Sequence, residues 1–309
     1  MTEFSVFEVF VSVAAAVVLF VYALRGFSKD VQEAGGEALR MALSRITSRP
    51  LVTFFASAGL TALVQSSSAV SGIAVALVEA GTISFRGSLP VFLGANVGTT
   101  STAWLVALDA TMLGPLLIIL SVVVSFLPGK ASLFGRSILY LGVILLALQL
   151  ISDAVLPLKE NTEVAEWMAY ATNPLIAFAI GILATALLQS SSVVVGLSII
   201  AVQQNLIGFH DVLFVIVGTN IGTTSTALIS SFSMGTVARR SAIANLIFNV
   251  LGVAAFVPIM PWVAEWVGTN IASDDMAVAV IHLVFNLCVA IVGFIVLRPL
   301  ASRLERKNV

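Results

Sequence analysis

The stretch ALVQSSSAVSG, residues 62–72, places a glutamine and three serines inside an otherwise apolar segment, and it recurs as ALLQSSSVVVG, residues 186–196. A shift of 124 residues superimposes the two stretches without a gap. Over 61–108 and 185–232 the shifted sequences are identical at 22 of 48 positions. Self-similarity of this kind indicates that one structural unit occurs twice in the chain.

The composition predicts a membrane protein. Of the 309 residues, 59% are hydrophobic and 10% are charged, whereas soluble domains carry about 25% charged residues. A net charge of −1 leaves no basic face for phosphate backbones, so nucleic-acid binding is excluded. Glu3 and Glu8 stand where a signal peptide would place positive charge, and the N-terminus is therefore predicted to be a retained transmembrane helix.

The charge distribution predicts that the two copies, about 14–108 and 138–232, have opposite orientations in the membrane. Arginines and lysines follow the first span of copy one, and acidic residues follow the matching span of copy two. Basic residues concentrate on the cytoplasmic side, which predicts an outside N-terminus and a cytoplasmic C-terminus. Inverted repeats are typical of secondary transporters, whose substrate sites lie at the midplane. Helices in 233–309 complete a single transmembrane domain, 1–309, without a recognised counterpart in either copy.

The segments around QSSS are too short to cross the membrane twice. The 15 residues before Gln65 and the 11 residues of 69–79 reach about 22 and 16 Å as helices, against a hydrocarbon core of about 30 Å. Re-entrant helical hairpins are therefore predicted at about 50–79 and 174–203. The complete expectation is an all-α protein with these hairpins and seven spans, at about 4–24, 89–108, 111–128, 134–153, 211–232, 241–262 and 277–298.

The hairpin tips are the predicted binding site. Serines are favoured helix N-caps, and a helix N-terminus attracts anions through its free N–H groups and its dipole. The anion-binding candidates are Ser66, Ser67, Ser68, Ser190, Ser191 and Ser192. The side-chain oxygens of Gln65 and Gln189 suit a hard cation.

A second shared motif, GANVGTTSTA (94–103) and GTNIGTTSTA (218–227), is expected to break its transmembrane helix. The glycines weaken the helix, and discontinuous helices often supply ion ligands in transporters. The oxygen donors predicted at these breaks are Asn96, Thr99, Thr100, Asn220, Thr223 and Thr224.

Sodium coupling follows from the predicted charge balance. None of the lysines and arginines falls within a predicted span or hairpin core, and an unbalanced anion at the membrane midplane is costly. Cations carried with the anion would balance it, and oxygen-only ligands indicate Na⁺. The rival interpretation is that these small polar residues mediate helix packing. Asn245, Asn249 and Asn286 are interpreted mainly as such helix–helix contacts, with a supporting role around the site as the alternative.

An enzyme is not predicted, because a catalytic serine needs a neighbouring base and neither His210 nor His282 is suitably placed. With these motifs, the sequence resembles the type II sodium–phosphate cotransporter family. The resemblance rests on both QSSS hairpins, on GANVGTTSTAWLVAL and GTNIGTTSTALISS, and on the LIFN and LVFN helices.

The resemblance implies sodium-coupled uptake of inorganic phosphate by alternating access. It makes the six serines phosphate contacts and the glutamines, asparagines and threonines sodium or phosphate ligands. Na⁺ is then the coupling ion, without an organic cofactor and without a cytosolic regulatory domain. A homodimer is left open. The alternative is a sodium-coupled transporter of another oxyanion or of a dicarboxylate.

Overall fold

The computed structural model describes residues 6–46, 49–107, 112–128, 132–160, 166 and 170–306. The described part contains helices and no strand, as the sequence predicts. A short 3-10 turn follows the sixth helix. The helices are α1 Val6–Ile46, α2 Pro50–Val64, α3 Ser67–Glu79, α4 Phe85–Ala107, α5 Leu113–Ser125, α6 Leu133–Val155, α7 Pro174–Leu188, α8 Ser191–Gln203, α9 Phe209–Ser231, α10 Thr236–Phe256, α11 Met260–Asn270 and α12 Asp274–Arg306.

Two pairs of short helices lie within the segments predicted as hairpins: α2 with α3, named hairpin one, and α7 with α8, named hairpin two. Each begins with a proline at the first helical position, where its missing N–H costs nothing. Each first arm ends at a glutamine in the left-handed region, with φ of 56° at Gln65 and 53° at Gln189. Arms of 15 and 13 residues extend about 22 and 20 Å, less than a bilayer core.

The prediction of broken transmembrane helices is wrong. Helices α4 and α9 run unbroken through the shared GTTSTA motifs. The glycines serve close packing instead: a Cβ at Gly94 or Gly98 would overlap a backbone carbonyl oxygen of α2. A Cβ at Gly218 or Gly222 would likewise overlap a backbone carbonyl oxygen of α7. A glycine costs a helix only about 0.5–1 kcal/mol, less than leaving buried backbone groups unpaired, so the helices stay intact.

Five described helices are long and apolar enough to cross a membrane, and they coincide with five of the seven predicted spans. The other two predicted spans differ for physical reasons. Helix α4 is long enough, but its asparagine, glycines and hydroxyl run lower its mean hydropathy. The described part of 111–128 is a helix of 13 residues, about 20 Å long. The protein is a multi-pass membrane protein.

The helices pack in two groups. One group is α1, α5 and α6; the other contains both hairpins with α4, α9, α10 and α12. Helix α1 continues for 41 residues, well beyond the end of the predicted span at residue 24. Its Asp30 is buried and receives hydrogen bonds from Arg136 and Ser137 of α6. Helix α1 also contacts both helices of hairpin one, α2 and α3.

Candidate functional site

The first serine of each triplet caps the second arm of its hairpin. The Ser66 hydroxyl accepts a hydrogen bond from the Ala69 N–H at 3.2 Å, and the Ser190 hydroxyl accepts one from the Val193 N–H at 3.4 Å. Both serines have the extended backbone of an N-cap. The N-cap geometry predicted for the tips is thus present in both copies, with each helix N-terminus directed to its tip.

The two hairpins meet through Thr102 of α4. Its hydroxyl oxygen lies 2.6 Å from the Gln65 side-chain oxygen and 3.2 Å from the Ser192 hydroxyl. All three residues are buried. Hairpin one, helix α4 and hairpin two are therefore joined by one polar cluster in the interior.

The two glutamines differ in their side-chain environments. Gln65 is 9% exposed, and its amide nitrogen donates to the Ser101 hydroxyl at 2.9 Å. Gln189 is exposed. The copy-two counterparts of Ser101 and Thr102 are Ser225 and Thr226, whose buried hydroxyls have no hydrogen-bond partner among the described residues. The glutamine of the copy-one tip is thus hydrogen-bonded to α4, which closes that tip. The glutamine of the copy-two tip is exposed, which leaves that tip open.

A cavity of about 250 Å³ joins both tips to α1. From the tips it is lined by Gln65, Ser66, Gln189 and Ser190, and its α1 wall includes Arg25 and Lys29. The expectation that no cationic side chain stands near the site is wrong. It failed because α1 continues past its apolar segment and carries these two residues along its helix to the tips. Sequence reasoning missed both, since their distance from the tips depends on packing.

The remaining serines lie behind the cavity wall: Ser67, Ser191 and Ser192 are buried, and Ser68 is half-buried. The predicted threonines donate to carbonyls of their own helix turn, as Thr99 does to Ala95 at 2.9 Å and Thr223 does to Thr219 at 2.9 Å. Thr100 and Thr224 do the same. Their hydroxyl oxygens keep lone pairs, but these threonines do not line the cavity between the tips.

The predicted asparagines pair between helices in a symmetrical pattern. Asn96 donates to Asn249 at 2.9 Å, and Asn220 donates to Asn286 at 2.8 Å. Asn249 in turn lies against Asn245, its neighbour one turn earlier.

Helices α10 and α12 thus hold the same relation to α4 and α9. The segments ANLIFN (244–249) and IHLVFN (281–286) carry a matching signal at a shift of 37 residues. The C-terminal helices therefore share a short pattern and an equivalent asparagine contact, which the search for a 124-residue repeat could not detect.

The described residues contain no cluster of three or more His, Cys, Asp or Glu side chains that could bind a metal ion. The oxygen donors at the tips are neutral amides and hydroxyls. Such donors suit a weakly held hard cation rather than a transition metal, which prefers imidazole and thiolate.

The chain is similar to known proteins over most of its length. The model of the Na+/Pi-cotransporter family matches residues 19–153 and 159–260. "Uncharacterized protein YqeW" of Bacillus subtilis is 30% identical over 299 residues, which is 96% of this chain and 97% of that protein.

Two further relatives bear functional names. "Putative inorganic phosphate export protein YjbB" of Escherichia coli K12 is 31% identical over 287 residues, 91% of this chain. The chain spans about half of that protein's length, 53%. Human "Sodium-dependent phosphate transport protein 2B" is 36% identical over 91 residues, 29% of this chain and 13% of that protein. No solved structure matches the chain. By the extent of the family match, which covers both hairpins and the helices that follow them, this chain belongs to the Na+/Pi-cotransporter family.

Proposed function

We propose that this protein is a sodium-coupled symporter that carries inorganic phosphate into the cell by alternating access. The observation that carries the proposal is the cavity where two serine-capped helix N-termini from different hairpins face a basic segment of α1. Helix N-termini attract oxyanions, and cations beside them add to that attraction. The small volume, about 250 Å³, lies below the range of about 300–1,000 Å³ for drug-sized ligands and suits an inorganic ion.

Phosphate contacts are assigned to the tip serines. Ser66 and Ser190 line the cavity, and the other four serines of the two triplets, Ser67, Ser68, Ser191 and Ser192, lie next to them in the chain. Once a serine caps its helix, the next N–H groups of α3 and α8 remain as anion donors. This arrangement would recognise an anion by its charge and by the tetrahedral placement of its oxygens. Arsenate should therefore compete with phosphate, whereas succinate should compete only if the alternative, dicarboxylate transport, is correct.

Sodium ligands are assigned to the open copy-two tip. The Gln189 side chain is exposed there, and the buried hydroxyls of Ser225 and Thr226 are without partners among the described residues. In copy one the equivalent hydroxyls are engaged by Gln65. A cation bound by Gln189, Ser225 and Thr226 would satisfy oxygens that otherwise carry a desolvation cost of about 1–3 kcal/mol each. The predicted ligands Asn96, Asn220, Thr99, Thr100, Thr223 and Thr224 would then support these helices from behind.

The test is uptake of labelled phosphate into proteoliposomes under an inward sodium gradient, and again with choline in place of sodium. The proposal expects saturable uptake that falls by at least about ten-fold in choline. Ser191→Ala and Ser67→Ala should weaken uptake. Ser84→Ala is the matched control, because the Ser84 hydroxyl accepts from the Gly87 N–H at 3.0 Å at the start of α4, outside the cavity. Undiminished uptake in choline would reject sodium coupling.

Export is the second candidate direction, and the name of the E. coli relative, an inorganic phosphate export protein, favours it. Vesicles loaded with phosphate and given sodium on either face separate the two directions. Symport into the cell predicts that phosphate moves with the sodium gradient from the outside face, on which His210 is predicted to lie. Phosphate movement that is independent of the sodium gradient and depends only on the phosphate gradient would favour an export pathway.

A further inference from the structure

Arg25 is an exposed residue of α1 that contacts the tip of hairpin two. It lies on α1 one residue beyond the predicted end of the first span, and it lines the cavity shared by the two hairpin tips. Its Nη2 donates to the backbone carbonyl of Leu188 at 2.9 Å. Leu188 is the last residue of α7, so the guanidinium is held against the tip of hairpin two.

The contact with Leu188 fixes Arg25 without neutralising it. A guanidinium has five N–H donors, and a carbonyl at a helix C-terminus offers only a partial negative charge. Among the described residues no carboxylate pairs with Arg25. The neighbouring basic groups are different: Lys29 pairs with Glu33 at 3.6 Å, and Arg136 is bound to Asp30. Arg25, an exposed residue, therefore contributes a positive charge and further N–H donors to the lining of the cavity.

The internal repeat makes this charge asymmetric. The shift of 124 residues that aligns the two QSSS motifs also aligns ALRGFS (23–28) with ALQLIS (147–152), so that the counterpart of Arg25 is Gln149. Gln149 does not line the cavity. The twofold pattern of serines is thus complemented by a cation at one tip, the same tip at which Gln189 is exposed.

We propose that Arg25 is a substrate-binding residue that holds the phosphate oxyanion at the hairpin-two tip through the N–H groups not used by Leu188. The proposal rests on the proposed function and names the group that balances the substrate's charge. Arginine forms forked hydrogen bonds with phosphate oxygens, which lysine does not. Phosphate would sit between this fork and the N-terminus of α8, close to the predicted sodium ligands.

The test measures phosphate uptake and equilibrium binding of labelled phosphate for wild type, Arg25→Gln and Arg25→Lys. Arg25→Gln places in copy one the residue that copy two already uses, so folding is expected to tolerate it. Loss of charged hydrogen bonds of this kind corresponds to about a ten- to hundred-fold change in an equilibrium constant. Arg25→Gln should raise the KM and the dissociation constant for phosphate by that factor, with a smaller effect on the sodium dependence. Arg25→Lys should recover part of the affinity.

Arg239→Gln is the matched control. Arg239 also donates its Nη2 to a helix C-terminal carbonyl, that of Phe232 at 3.0 Å, but it lies outside the cavity. An equal loss of phosphate affinity in Arg25→Gln and Arg239→Gln would show that Arg25 only caps a helix C-terminus, and it would overturn the inference. An unchanged phosphate KM in Arg25→Gln, beside a wild type that transports phosphate, would overturn it too. A wild type that neither binds nor transports phosphate would instead reject the proposed function, and this inference with it.

Discussion

Gln65 and Gln189 share one backbone conformation and have different side-chain environments. Both lie at positive φ, 56° and 53°, where a residue other than glycine costs about 1–3 kcal/mol. Gly81 and Asn205, which follow the hairpins at equivalent positions, also have positive φ. Glycine would adopt this backbone conformation at lower cost. The presence of glutamine at both tips therefore indicates a role for its side-chain amide.

Replacing Gln65 with glycine should therefore separate stability from transport. Gln65→Gly relieves the backbone cost of about 1–3 kcal/mol but removes the amide that contacts Ser101 and Thr102. We expect a thermal unfolding midpoint in detergent that is unchanged or slightly raised, with phosphate uptake reduced by at least about ten-fold. Asn205→Gly is the control at a similar φ of 54°, away from the tips, and should keep full uptake. Normal uptake by Gln65→Gly would show that the amide has no role.

At the scale of helices, the first arm of each hairpin packs very closely on the long helix that follows. Gly98 approaches the Ala58 carbonyl of α2, and Gly222 approaches the Ile182 carbonyl of α7. Close packing through small residues is how membrane helices associate without a hydrophobic driving force. Helices α4 and α9 are thereby held against the hairpins whose tips form the site.

The C-terminal ends of the second arms, α3 and α8, also form hydrogen bonds with other helices. Both carboxylate oxygens of Glu79 lie 3.0 Å from the Gly235 N–H at the start of α10. Gln203, at the equivalent position in copy two, donates to Asp275 at the start of α12 at 2.9 Å. Each hairpin is therefore attached to one of the two symmetrical C-terminal helices, although the residues that make the attachment differ.

The glycine contacts predict a large effect from a single methyl group. Gly98→Ala would place its Cβ against the Ala58 carbonyl, a backbone atom that cannot rotate away, and should destabilise the protein by about 1–3 kcal/mol. Gly72→Ala, in α3 with no atom within 4 Å of the added Cβ, should be neutral or stabilising by up to about 1 kcal/mol. Thermal unfolding in detergent compares the two variants. Equal unfolding midpoints would contradict the packing role of Gly98.

At the scale of the whole molecule, the inverted arrangement of the two copies is the principal prediction that awaits a membrane experiment. The hairpin arms are too short to cross a bilayer. Basic residues precede hairpin one, whereas acidic residues precede hairpin two. If both arguments hold, the two ends of each hairpin lie on one side of the membrane, and the two hairpins open to opposite sides.

Cysteine labelling tests this arrangement. In a Cys288→Ser background, a membrane-impermeant thiol reagent should reach Arg49→Cys and Arg86→Cys from the cytoplasmic side. It should reach Asn173→Cys and His210→Cys from outside. All four positions are exposed, so differences in labelling report sidedness rather than burial. Labelling of Arg49→Cys and Arg86→Cys from opposite sides would reject the re-entrant hairpin.

Much of the local structure could be predicted from the sequence, because it depends on neighbouring residues. The hairpin arms begin at Pro50 and Pro174, and their tips contain a serine N-cap, as capping chemistry requires. The prediction of broken helices failed at Gly94 and its counterparts because a glycine's local effect and its packing effect look alike in a sequence. Five of the predicted spans were found for the same local reason, since length and apolar content are properties of a segment.

The sequence by itself determined the membrane class, the internal repeat and the two serine-capped tips, because composition, periodicity and capping act over a few residues. Tertiary structure alone decided which distant residues meet. It placed Arg25 against Leu188, paired Asn96 with Asn249, and closed Gln65 on Thr102 while Gln189 stayed exposed. Two identical QSSS motifs thus have different surroundings, because their environment is set by packing against α1, α4 and α9 rather than by the motif itself.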